Sequence, residues 1–60
     1  MTDDLKRFMI DVQQELIAMA GVGMKVPAVT IRKAQNPDIM KEYANMSVSE
    51  CATLLVEVYS

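Results

Sequence analysis

Ser47-Val48-Ser49-Glu50-Cys51-Ala52-Thr53-Leu54-Leu55-Val56-Glu57-Val58-Tyr59 carries its own start signal for a helix. Ser47 is placed to be the N-cap, and Glu50 three residues on completes a capping box. Met46 before the cap and Cys51 at the fourth helical position are spaced for a hydrophobic staple. On a helical wheel Val48, Ala52, Leu55 and Tyr59 form one apolar row, and Cys51, Leu54 and Val58 form a second. The polar row is Glu50, Thr53, Glu57 and Ser60. A helix apolar on most of its circumference has to be covered on most of it. In a 60-residue chain the expected cover is a second copy, so the sequence predicts homo-oligomerisation, most simply a dimer.

Working outward from this stretch, Asn36-Pro37-Asp38 is another helix start. It offers an N-cap, a proline at the first helical position and an acid in the first turn. That helix is expected to run to about Ala44, with Ile39, Met40 and Tyr43 on one face and Asn45 as a left-handed terminator. At the other end of the chain, residues 2–20 read as an amphipathic helix with Thr2 as N-cap and Asp3 and Asp4 at its positive end. Leu5, Met9, Val12, Leu16 and Met19 recur at alternating spacings of four and three, the seam of a short coiled coil, and Phe8 widens it. Such a seam packs on the rest of its own domain, on a second copy, or on both. Ile10 and Ile17, one heptad apart, add a second apolar row. Gly21-Val22-Gly23 ends the helix.

Between these helices lies Met24-Lys25-Val26-Pro27-Ala28-Val29-Thr30-Ile31-Arg32-Lys33-Ala34. Pro27 biases Val26 away from helix, and Val29 and Ile31 then alternate with Ala28, Thr30 and Arg32 at strand period. The segment reads as a strand paired with its copy in a second chain. An extended arm, or helix over 30–35, are the alternatives. The fold class expected is therefore mainly α: a single domain over residues 1–60, three helices with a short extended segment between the first two, completed by homo-oligomerisation.

Composition excludes several functions. Neither histidine nor a second cysteine is present, so the usual zinc clusters and an internal disulfide are ruled out. Cys51 lies in an apolar helix with no histidine to activate it and reads as a buried structural thiol. Gly21 and Gly23 lack the third glycine and preceding strand of a nucleotide loop. No enzymatic activity and no cofactor are expected. The six methionines read as core filler more simply than as a partner groove. No apolar run reaches a membrane span and no signal peptide is visible, so the expectation is a cytoplasmic protein without membrane contact.

The net charge of −2 is uneven. Lys25, Arg32 and Lys33 stand in residues 24–37 without an acid, whereas the flanking segments are both acidic. Together with Thr30 they are the candidate contacts for a partner or a nucleic acid. The candidate oligomer interface takes Leu5, Met9, Val12, Leu16 and Met19 from the first helix. From the last it takes Val48, Cys51, Leu54, Leu55, Val58 and Tyr59. The function expected is a protein-interaction module of inhibitor or adaptor type, binding itself and another protein.

The order of Val29-Thr30-Ile31-Arg32, a helix from Pro37, a turn, and a helix opened by Ser47-Val48-Ser49-Glu50 resembles the ribbon-helix-helix repressors over residues 26–60. The resemblance implies a dimeric DNA-binding regulator whose paired strands present Ala28, Thr30 and Arg32 to the major groove. The chain departs from that pattern in a middle helix about one turn short and in a whole extra helix before the strand. A helix-turn-helix over 39–58 would read bases with Glu50, Glu57 and apolar residues, whereas base readout favours Arg, Lys, Asn or Gln.

Overall fold

A computed structural model describes residues 3–59. They form α1 (Asp3–Gly21), α2 (Ala28–Ala34), α3 (Pro37–Met40), a 3-10 turn (Lys41–Tyr43) and α4 (Val48–Tyr59). Mainly helical is thus the architecture, with four helices and no strand among the described residues. At 19 residues α1 is about 28 Å long by helical rise, and it sets the 32 Å long axis of the molecule. Its most extensive packing is against α4, and α2 and α3 fill the remaining space beside them.

The seam of α1 is spent on the chain's own core. Met9, Val12 and Leu16 are buried, and Leu5, Phe8 and Met19 pack around them. From α4 come Cys51, Ala52 and Leu55, and from the middle segments Ala34 and Met40. The folded chain exposes 3962 Å², close to the roughly 3,900 Å² of a compact monomer of its mass. The apolar rows of α4 therefore find most of their cover within one chain. The sequence reading underestimated this because it left α2 out of the helical layer.

Residues 28–34 correct that reading: they are helix, not strand. Pro27 is extended, at φ −63° and ψ 147°, and the chain turns helical directly after it. Alternation over five residues does not separate a strand from a short helix. Here the i, i+4 pair Thr30 and Ala34 faces the core instead, and both are fully buried. No side-chain cap supports this helix. Tertiary packing holds it, since seven residues are too few for an isolated helix in water.

Two helix boundaries follow local chemistry. At the end of α1 the Met24 N–H donates to the Met19 carbonyl (3.1 Å) and the Gly23 N–H to that of Ala20 (3.1 Å). With Gly23 at φ 97°, this is a Schellman closure. At α3 the Asp38 N–H donates to Asn36 Oδ1 at 2.9 Å, and Pro37 occupies the first helical turn. The helix then tightens into the 3-10 turn, ending at Tyr43 rather than Ala44. Asn45 does not terminate it in the left-handed region, because no non-glycine residue among those described has a positive φ. The Glu50 N–H donates to Ser47 Oγ (3.2 Å), which is one half of the capping box at α4. Met46 and Cys51 both join the core, as a staple requires. Thr2 and Ser60 lie outside the described residues.

Candidate interaction surfaces

The residues expected to bind fall into three groups. Of the α1 seam and the α4 rows, Met9, Val12, Leu16, Cys51 and Leu55 are buried inside the chain. Leu5, Met19, Val48 and Tyr59 are half-buried against the same core. Leu54 is half-buried and Val58 is exposed, at 56%. With Met46, Ser49, Glu50, Thr53 and Glu57, Leu54 lines a shallow open groove along the outside of α4. Ser49 Oγ donates to Glu15 Oε2 at 3.2 Å and ties that side of α4 to α1.

The basic segment does not form one patch. Lys25 is exposed in the connection before α2, and Arg32 is exposed on its outer face. Lys33 lies about 100° round the helix from Arg32, half-buried, with its ammonium 5.7 Å from the centre of the Tyr59 ring. That is a cation–π contact between α2 and α4. Both cations also stand in the last turn of α2, where they favour the negative end of its dipole. Thr30, expected to point outward with Arg32, is fully buried, because helical geometry turns it inward. Its Oγ1 is buried without a hydrogen-bond partner.

Cys51 is fully buried. Desolvation raises its thiol to about 11, so it is protonated at neutral pH and a poor nucleophile. Burial is also the main cause that raises Tyr43, with smaller contributions from Tyr59, Glu42 and Cys51. Among the described residues no group of three or more His, Cys, Asp or Glu side chains could hold a metal ion. No described helix is long and apolar enough to cross a membrane.

The sequence reading did not count the outside of α1 among the binding surfaces. Ile10 is 45% exposed, Ile17 60% and Val22, in the closing turn, 81%. The row of Ile10 and Ile17 was visible in the spacing. Val22, flanked by glycines, was read only as a helix stop, although a large apolar residue in so open a turn has little intramolecular cover. Beside the row, at the start of the helix, Asp3, Asp4, Lys6, Arg7 and Ile10 line a second open depression.

No protein-family model, curated protein or solved structure matches the chain.

Proposed function

We propose that this chain is a non-enzymatic protein-interaction module, of inhibitor or adaptor type, that works as a homo-oligomer. The observation that supports it is where apolar surface remains once the core is filled. Among the described residues Ile10, Ile17, Val22, Met24 and Val58 are the exposed large apolar ones, and four of these five belong to α1 or to the turn that closes it. Single exposed apolar residues are ordinary on any protein. A concentration of them on one element marks a surface for a partner. The open groove on α4, with Leu54 between Glu50 and Glu57, is a second surface suited to a partner's apolar and basic side chains.

Sedimentation equilibrium from low to high micromolar concentration tests the reading, together with thermal melts over the same range. A dimer or larger species whose melting temperature rises with concentration is expected. A monomer throughout, with a concentration-independent melt, would overturn homo-oligomerisation. The competing reading, a DNA-binding regulator working through exposed Lys25 and Arg32, predicts DNA affinity that falls steeply with salt as counterions are released. A gel shift on random DNA at two salt concentrations separates the two readings.

A further inference from the structure

We infer that α2 is a releasable strap: it leaves the core as one unit while α1, α3 and α4 keep their places, and so uncovers apolar surface that the closed chain hides. The inference goes beyond the homo-oligomer reading and does not depend on it. What α2 puts into the core is slight. Its buried residues are Ala34, which offers a single methyl group, and Thr30, whose hydroxyl has no hydrogen-bond partner. Ile31, and Val26 just ahead of the helix, are only partly buried. By contrast, α1 brings Met9, Val12 and Leu16 to the core and α4 brings Cys51, Ala52 and Leu55, and these two helices form the most extensive contact of the fold. Release also returns the Thr30 hydroxyl to water, which removes the penalty of burying it unpaired.

The side-chain tie from α2 to α4 is weak. The Lys33 ammonium lies 5.7 Å from the centre of the Tyr59 ring, close to the outer limit of about 6 Å for a cation–π contact. No side chain caps the start of α2, and seven residues do not sustain a helix once detached. Release and melting of α2 are therefore one event. The neighbouring helices are closed off by their own chemistry. At the end of α1, Met24 and Gly23 donate to Met19 and Ala20 within the closing turn. The Asn36 side chain caps α3, and Ser47 caps α4. None of these bonds uses a residue of α2, so all of them survive its release. With α2 gone, α3 still packs on α1. The connections on both sides, Val22 to Lys25 and Gln35 to Asn36, are exposed and hold nothing in the core.

The test is native-state amide hydrogen exchange on the full chain, parent and Ser47→Ala, followed by nuclear magnetic resonance at low urea concentrations. In α2 the probes are the N–H groups of Arg32, Lys33 and Ala34, which a helix starting at Ala28 bonds four residues back. In α4 they are those of Leu54, Leu55 and Val56. The α2 probes should exchange at least about tenfold faster than those of α4. Their urea dependence should be smaller than that of α4 but above zero, since release exposes only part of the surface that global unfolding exposes. The variant separates the two kinds of opening. Ser47 caps α4 both before and after release, so Ser47→Ala should leave the α2 probes unchanged and speed those of α4 about fivefold, as loss of a cap does. Equal acceleration of both sets, or equal rates and urea dependence in the parent, would mean that α2 opens only when the whole chain unfolds, and the inference fails. A urea dependence of zero at the α2 probes overturns it as well, because the helix then frays in place without leaving the core.

Discussion

Helices α4 and α2 pack against each other, and they are held in place by different kinds of information. The longer one has a cap written into it: Ser47 Oγ accepts the Glu50 N–H, and the Ser47 carbonyl accepts the Cys51 N–H at 2.9 Å. Its inner row, Cys51, Ala52 and Leu55, is wholly buried. By contrast, α2 has seven residues, a proline where a capping side chain would be, and a fully buried hydroxyl with no partner. The difference teaches that a helix can be specified by its neighbours alone. Sequence signals of the local kind then point elsewhere, here to a strand.

Truncating the inner row of α4 should have the largest effect. Leu55→Ala is expected to cost about 2–5 kcal/mol, the range for a buried leucine. A domain of this size has a total stability of roughly 3–9 kcal/mol, so the variant should be partly or wholly unfolded at room temperature. Urea titration followed by circular dichroism measures it. A cost under about 1 kcal/mol would remove α4 from its place as the centre of the core.

The next effect comes from alkali. Cys51 binds its proton more tightly when folded, because burial raises the thiol from its ordinary 9.0 to about 11. Raising pH through that window deprotonates the unfolded chain first, so stability present below about pH 9 is lost as pH approaches 11. Tyr43, also raised by burial, acts in the same direction. Urea midpoints measured from pH 7 to pH 11 should fall, and Cys51→Ala should fall less steeply over the same window. Parallel slopes in parent and variant would mean that the thiol is not desolvated in the fold.

Changes that test α2 should be smaller and of opposite sign. Thr30→Val keeps the shape of the side chain and removes a buried hydroxyl without a partner. It is expected to stabilise by about 1–2 kcal/mol, read as a higher urea midpoint with an unchanged slope. A loss of stability would show that the hydroxyl is hydrogen-bonded in solution. Smallest is the cap: Ser47→Ala should cost about 1 kcal/mol. If the cap variant costs more than Leu55→Ala, local encoding and packing have been assigned the wrong relative weights in α4.

Legibility in the sequence followed the same division. The Schellman closure at Gly23, the Asn36 cap and the Ser47 cap were all readable, because each depends on a few adjacent residues. The seam of α1 was readable from spacing, but whether it packed within the chain or between chains was not. That outcome depended on α2 being helical, and the pattern of Val29 and Ile31 gave no sign of it. The basic residues were found and their arrangement was not. Lys33 turns toward Tyr59 because residues one apart on a helix diverge by about 100°. Val22 went unnoticed as a surface residue because its glycine neighbours drew the reading toward chain reversal.

The methionines sit at graded depths, and this makes the fold report on its own breathing. Met24 is 48% exposed, Met19 and Met46 are half-buried, Met9 is 7% exposed and Met40 is fully buried. Peroxide converts an accessible thioether to the sulfoxide at once, but reaches an enclosed one only when the structure opens. Mass spectrometry of a peroxide time course should therefore find, among the described methionines, Met24 modified first and Met40 last, with the lag of Met40 tracking the free energy of opening. Once Met40 is oxidised, a polar sulfoxide occupies the centre of the core, and that molecule does not close again.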